Sequence, residues 1–572
     1  MRFRFGDCTL DEESRELQRA GEKVHLTPKA FQLLTILLQE RPRAVSKSEL
    51  QNRLWPTTFV SESNLPTLVR EVREGIGDSA RGGQHLRTIH RFGYSFAGSA
   101  TELRTEDSSN RSVAVFPFDN PSGDPALTYV AAGIPEGLIN ILARTPGLRV
   151  TPRSTAFRLA PLVTDPAALQ KRLRVRWLIT GSVKSSADAV ILQVDLIDIA
   201  AGKQIWGSQF RRRHNEFASL DCEIAHEVLR TLSPQSRPEG TGAGRNTNSN
   251  EAHLLQMKGT FHWNRRTASS LQRAVECFTE AAAIDSGYVP PLLGLAECWV
   301  TIGTRDLIDP REAFARAEES ARAALAIDGE SAAAIATLAA IDELHHWNWE
   351  AAEGRYRKAL TLSPEDATIL QWYALHLSRR GRHEEARIQM DRAAEIDPLS
   401  LIIGTNRGLS AYLRGDHEAA VEMHDQVLGL DPNFEGALIG KALALDQMGE
   451  HERAWPLYEK LAIMIPDSPF HAGFHAYSLA AGGRCNEARE LADRLLALRS
   501  SRFVSGIILS LPFLGLQKID ESLHWLETGV DQRSALAVYL LTEPRLAVLR
   551  GHPRFEQLVR RVNLADGTPA AT

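Results

Sequence analysis

Between Leu65 and Ile76 apolar residues recur at three- and four-residue spacing. Leu65, Leu68, Val69, Val72 and Ile76 form one stripe, which predicts an amphipathic helix with a buried face. The opposite face carries Pro66, Thr67, Arg70, Arg73 and Glu74, short groups first and guanidinium groups next, a surface suited to a DNA major groove. Pro66 falls in the first turn, where a missing N–H costs little. Upstream, Ser46 is placed to cap a short helix over residues 47–54, and residues 60–64 read as the turn between the two helices. Downstream the period shortens. Residues 86–89 and 94–96 read as two strands around His90, Arg91, Phe92 and Gly93, with Gly93 supplying the backbone freedom of a tight turn. Nearer the N-terminus, Phe3, Phe5 and residues 8–10 suggest short strands. A longer helix capped by Thr27 buries Phe31, Leu34, Leu37 and Leu38. Helix, turn, helix and basic-tipped hairpin make a winged helix-turn-helix plan. The same pattern also fits a small structural domain whose arginines are only a solvated face.

The next 120 residues change character. An apolar strand at residues 112–118 is followed by a helix over 129–144, a strand at 148–151, a helical segment at 165–173, strands at 177–183, 189–199 and 205–210, and a helix over 216–232. That order argues an α/β domain. Residues 234–250, rich in Gly, Ser, Asn, Thr and Pro, read as an interdomain linker, so the regions it joins are expected to move relative to one another.

From there the chain repeats. Pro364, Pro398, Pro432 and Pro466 stand 34 residues apart, as do Gly381, Gly415, Gly449 and Gly483, and Ala352, Ala386, Ala420, Ala454 and Ala488. This is the tetratricopeptide period: small residues let paired helices approach, and a proline follows each pair. Tyr356, Met390 and Tyr458 fill the neighbour-facing core, and six to seven helical pairs are expected between residue 251 and about residue 499. Residues 305–310 read as an insert at an edge of the array. His345 and His346 show no acidic or histidine partner at helical spacing, so with Trp347 and Trp349 they read as packing and surface residues rather than a ligand site. His383, His417 and His451 are too far apart to share a metal ion and read as turn features. Trp525, Leu526, Phe555 and Leu558 are expected to cap the exposed end of the array.

Composition narrows the class. With 572 residues and a net charge of −5, the chain lacks a global nucleic-acid signature, but residues 41–98 hold nine Lys/Arg against five Asp/Glu, a formal +4. That fits a compact module making several phosphate contacts. Five scattered cysteines without a CxxC pair argue free thiols in a reducing compartment and against a metal site. The longest apolar run, residues 506–516, contains Pro512 and is too short to span a membrane. Asp119, Asp124, Asp188, Asp195 and Asp198 make no clear metal constellation, and no GxxxxGK[ST] loop is present, so no catalytic residue, cofactor or metal is assigned.

Residues 1–98 resemble the OmpR/PhoB-type winged-helix family. The resemblance is carried by Phe5-Gly6-Asp7 and Leu10-Asp11, Leu26-Thr27-Pro28-Lys29 with Phe31 to Leu34, Val45 to Leu50 with Leu54-Trp55, Val72-Arg73, Ile76-Gly77-Asp78, residues 86–89 and Gly93-Tyr94. Val72 replaces the family's usual leucine, and Gly75 stands in an alanine-like slot at a helix cost of up to about 1 kcal/mol. Residues 112–232 resemble a TolB-N-terminal-like α/β domain, a type found behind such heads and sometimes given adenylate-cyclase-like names. These resemblances imply a CadC/ToxR-like head without a transmembrane helix. The chain opens at the family's first strand, so receiver phosphorylation is not expected.

The expected fold class is multidomain: an α+β winged helix-turn-helix (1–100), a linker (101–111), an α/β domain (112–233), a flexible linker (234–250), an all-α tetratricopeptide solenoid (251–510), a helical cap (511–565) and a tail (566–572). The expected function is a cytoplasmic, sequence-specific regulator of transcription binding double-stranded DNA, with activation implied by the family. Pro66, Thr67, Arg70, Arg73 and Glu74 would face bases, Arg43, Lys47 and Thr88 phosphates, and His90 and Arg91 the minor groove at the wing. A protein or peptide partner for the solenoid, a contact with RNA polymerase and a homodimer are the further partners considered, with no membrane. Two other classes stay open: a scaffold whose winged helix binds protein, and a nucleotide-processing enzyme built on the middle domain.

Overall fold

The computed structural model describes residues 2–11, 16–19, 22–55, 64–78, 85–90, 92–98, 100–103, 111–162, 175–186, 189–213, 216–217, 219–232, 247–466 and 468–564. Arg91, most of the 60–64 turn, the helical segment expected at 165–173, most of both linkers and the tail lie outside the described residues. The chain forms two compact units, Met1–Ser112 and Val113–Thr572.

In the first unit an antiparallel sheet runs in the order β4 (Glu22–Val24), β3 (Glu16–Arg19), β2 (Cys8–Asp11), β1 (Arg2–Phe5), β8 (Ala100–Leu103). Helices α1 (Pro28–Gln39), α2 (Lys47–Leu54) and α3 (Asn64–Ile76) follow, with a small sheet of β5 (Val45–Ser46), β7 (Gly93–Phe96) and β6 (Leu86–Ile89). Phe3, Phe5, Leu34, Leu37, Val69 and Val72 are among its fully buried residues. Thr27 caps α1, its hydroxyl accepting from the Ala30 N–H at 3.4 Å. Glu71 on α3 reaches across to accept from both the N–H (2.6 Å) and the hydroxyl (3.0 Å) of Thr27, locking the second helix-turn-helix element to the first helix.

Two glycines act differently from expectation. Gly93 has no left-handed backbone; a Cβ there would stand 2.0 Å from the carbonyl oxygen of Val45, so it permits close approach of β7 to β5. At Gly75 a Cβ would stand 2.9 Å from Leu26, so its propensity cost is offset by room for that side chain.

The second unit begins with a five-stranded sheet in the order β10 (Arg149–Val150), β9 (Ser112–Val115), β11 (Trp177–Ser186), β12 (Ala189–Asp198), β13 (Lys203–Arg212). β9 and β11 run parallel, while β12 pairs antiparallel with both β11 and β13. Helix α4 (Pro125–Leu142) and the helix Leu220–Leu232 share a core with it through Ile134, Leu138, Ile224, Val228 and Ile179. This part is not free of the repeats. On α5 (Arg153–Leu159), the hydroxyls of Ser154 and Thr155 both donate to Asp397, the latter at 2.7 Å. The Leu399 N–H returns a bond to Thr155 at 3.2 Å, and Met257 of the first repeat helix packs over Gly133. The expected independent movement is therefore opposed by a built interface.

Among the described residues the helices from Asn250–Trp263 to Ile519–Asp531 make eight hairpin pairs. Ala352, Ala386, Ala420, Ala454 and Ala488 are all buried. Gly381, Gly415, Gly449 and Gly483 follow helix ends at φ of +74°, +87°, +77° and +88°, a region that β-carbons disfavour. His383, His417 and His451 each open a helix. The last pair, Gly506–Gly515 with Ile519–Asp531, continues the stacking beyond residue 510.

The array winds tightly enough that Arg305 meets Glu435, 130 residues later, at 3.3 Å. The segment at 305–310 consequently faces inward rather than an edge: Asp306 is buried and accepts from Ser534 at 2.8 Å. Nor does the C-terminal segment cap an end. Trp349 donates to the Val562 carbonyl at 2.9 Å, Arg379 to the Tyr539 hydroxyl at 2.8 Å, and Tyr412 to Glu543 at 2.5 Å. Residues 535–564 thus run back inside the superhelix, joining one apolar core with the first repeats. His346 also finds a carboxylate, Glu318 at 3.0 Å, which spacing along a single helix concealed.

Candidate nucleic-acid interface

The interface is organised by α3. Leu65, Val69, Val72 and Ile76 are buried and Leu68 packs at the margin of the core, so the helix cannot rotate without exposing its stripe. Pro66, Thr67, Arg70 and Glu74 are left exposed. The Arg70 guanidinium lies 3.6 Å from Glu74, with 76% and 72% of the two side chains exposed, so solvent screens the pair and the arginine can exchange it for another anion.

Arg73 departs from the face assigned to it. It is half-buried, and its Nη2 donates to the Leu86 carbonyl (3.2 Å) and the Thr88 hydroxyl (2.9 Å) on β6. It ties the helix to the wing. The wing is further fixed by Asp78, whose carboxylate accepts from the N–H groups of His85 (3.1 Å) and Leu86 (2.8 Å). Gly77 ends α3 at φ +70°, just before Asp78. At the tip His90 and Phe92 are exposed, Phe92 by 49%.

Around α2, Ser46 caps the helix by accepting from the Glu49 N–H at 3.2 Å, and the Lys47 N–H donates to the Phe92 carbonyl at 3.0 Å. The exposed Lys47 side chain therefore starts beside the wing. Arg43 is engaged: it bonds Glu40 and Glu49 at 2.7 and 2.8 Å, while Arg53 bonds Glu40 at 2.8 Å. Hydrogen bonds from Arg43 hold both carboxyls below the usual range, so a phosphate must displace a carboxylate to reach it. Exposed Arg87 on β6 was not assigned from sequence. Its place one residue before Thr88 in the wing strand was the available signal.

Three of the aspartates weighed for enzyme chemistry do structural work. Asp124 caps α4 through the Ala126 N–H at 2.9 Å, Asp195 accepts from Gln193 (2.9 Å) and Gln204 (2.8 Å), and Asp198 pairs with Arg176 at 3.3 Å. Asp188 lies outside the described residues.

A buried stripe, an exposed short-polar and basic face, and a hairpin locked alongside define a winged helix-turn-helix domain. The family "Transcriptional regulatory protein, C terminal" matches residues 21–96, and "HilA/YgeH-like transcriptional regulator, second domain" matches residues 109–227. The chain is 24% identical over 411 residues to the transcriptional regulator HilA of Salmonella typhi, covering 71% of this chain and 72% of HilA. It is 31% identical over 121 residues to "Putative adenylate cyclase 3" of Rhizobium meliloti (strain 1021), covering 21% of each. Among solved structures, the Klebsiella pneumoniae RstA DNA-binding domain in complex with RstA box is similar at 24% identity and a TM-score of 0.16, covering 17% of this chain and 96% of that one. The head is an OmpR/PhoB-type domain, and the chain is similar to transcriptional regulators of the HilA type. No helix among the described residues is long and apolar enough to cross a membrane.

Proposed function

We propose that the protein binds duplex DNA sequence-specifically through α3, acts in the cytoplasm, and activates the genes it binds. Pro66, Thr67, Arg70 and Glu74 meet base edges in the major groove, Lys47 and Thr88 lie along the backbone, and His90 with Arg91 addresses the flanking minor groove. Arg43 joins the phosphate contacts by giving up Glu40 or Glu49. Arg73 acts as a positioning residue, setting the angle between reading helix and wing while leaving base contact to Arg70.

The observation that carries this reading is the exposed Arg70 face on a helix held immobile by four buried apolar residues. The repeats hold a protein or peptide partner on their outer surface, since the chain's own C-terminal segment runs along the inner one. RNA polymerase and a second copy of the chain are the candidate partners through which head spacing becomes activation. The structural roles of Asp124, Asp195 and Asp198 favour this regulator over catalysis in the α/β domain. Genome-wide mapping of bound DNA tests the reading: Arg70→Ala loses site-specific occupancy at unchanged protein level, and occupancy equal to the native protein would reject α3 as the reading element.

A further inference from the structure

The C-terminal segment runs inside the superhelix without closing up against it. Between the two lies a cavity of 570 Å³, within the range of about 300–1,000 Å³ typical of small-molecule sites. Leu536 and Tyr539 line it from the segment, and Leu409, Ile439, Leu443 and Phe474 line it from the repeats. Through the 34-residue register His424 occupies the position of Met390 and Tyr458, and its ring closes the wall where Gly408 and Gly440 make room. Burial pushes that imidazole down to about 4, so it is neutral.

Charged residues also line the cavity, and each is already engaged. Arg305 stands 3.3 Å from Glu435, which lies 3.2 Å from the His471 ring. Arg379 bonds the buried Glu343 and the Tyr539 hydroxyl. Arg545 bonds Glu543 twice at 2.9 Å, and its guanidinium lies 4.4 Å over Phe474. Arg502 is engaged as well. Asp306 offers no free carboxylate: its Oδ2 accepts from Ser534 at 2.8 Å, and its Oδ1 is sealed from the surface. An ion of either sign entering this space would shed its hydration and find no uncommitted counter-charge. Water fares little better, because a buried water needs about two to four polar partners and these walls offer mostly hydrocarbon. An uncharged apolar molecule is favoured in leaving water and gains dispersion contacts with the leucine and isoleucine side chains.

We propose that the cavity binds an uncharged, largely apolar small molecule, held between the hydrocarbon of the repeats and that of the C-terminal segment. Because Leu536 and Tyr539 belong to the segment and Ile439 and Leu443 to the repeats, such a ligand bridges the two and stabilises the wound state. The site is built from the repeats and the C-terminal segment alone, so its test is a binding measurement without DNA.

The probe is the uncharged dye N-phenylnaphthylamine, whose fluorescence rises in apolar surroundings, titrated into the delipidated full chain. It is then displaced by decanol, decanoate or decylammonium, one chain with three head groups. The expected result is one saturable dye site, with decanol displacing the dye at least tenfold better than either ion. Amide exchange of the native chain should slow over residues 535–549 when the dye is bound. Leu443→Trp and Leu536→Trp, which fill the cavity from the repeats and from the segment without touching a charge, should each weaken the dye at least tenfold. Ile463→Ser, which removes an apolar side chain 82% exposed, should leave it unchanged. Absence of a saturable site, an ion that displaces the dye as well as decanol does, exchange over 535–549 that ignores the dye, or native affinity in the folded filling variants would overturn the proposal.

Discussion

Two arginines three residues apart on α3 are predicted to part company when each is replaced by alanine in the full chain. Arg73 holds β6 through bonds of 3.2 and 2.9 Å, one to a backbone carbonyl and one to a hydroxyl. A hydrogen bond from a charged donor contributes about 1.5–3 kcal/mol when shielded, and partial exposure lowers this to about 1 kcal/mol each. Arg73→Ala should therefore destabilise the head by about 2 kcal/mol. Arg70, 76% exposed with a 3.6 Å contact to an exposed glutamate, should cost less than about 0.5 kcal/mol. Amide hydrogen exchange read by mass spectrometry on peptides covering 64–76 and 86–96 separates these cases within the intact protein. At about 1.4 kcal/mol per factor of ten, Arg73→Ala should speed exchange there roughly 30-fold, while Arg70→Ala leaves it within about twofold. Equal acceleration by both variants, or none by Arg73→Ala, would refute the assignment of one arginine to support and the other to the exposed face.

Three further outcomes follow from the same geometry. Gly93→Ala places a Cβ 2.0 Å from the Val45 carbonyl oxygen and should unpair β5 from β7, seen as lost exchange protection across the wing, whereas exposed Arg87→Ala should not. Asp306 has its carboxyl raised from 3.8 to about 7 by burial, so its contribution is complete below about pH 4 and is lost as pH rises to about 7. Asp306→Asn, which tolerates the left-handed backbone at φ +50°, should lose less denaturant resistance than the native chain between pH 5 and 7, by up to about 1.4 kcal/mol per unit; parallel curves would contradict it. Asp397→Ala removes the acceptor of Ser154 and Thr155 and should open the α/β domain from the repeats, measured as faster proteolysis near residues 153–162 without loss of repeat helicity.

The sequence pattern carried the parts that depend on local period. The α3 stripe, the change to strands at residue 86 and the 34-residue repeat are properties of neighbouring residues, and the helices, wing and paired repeats stand where those periods put them. What stayed hidden depends on residues far apart in the chain. Arg73 and Glu71 look like solvent-facing helix residues until their partners on β6 and at Thr27 are known. The inward path of residues 535–564 has no periodic signature, because its contacts reach residues 131–213 positions away, as in Tyr412–Glu543 and Trp349–Val562. His424 was legible in principle: adding 34 to Met390 lands on it.

Selection of duplexes from a randomised DNA library by the purified full chain, repeated at 50 and 200 mM salt, bears most directly on whether the exposed α3 face reads DNA. One enriched motif is expected, with affinity falling roughly a hundredfold between the two salt concentrations for about four phosphate contacts, and with the motif degraded by Arg70→Ala. A library that emerges unenriched, or binding that ignores both salt and Arg70, would contradict it.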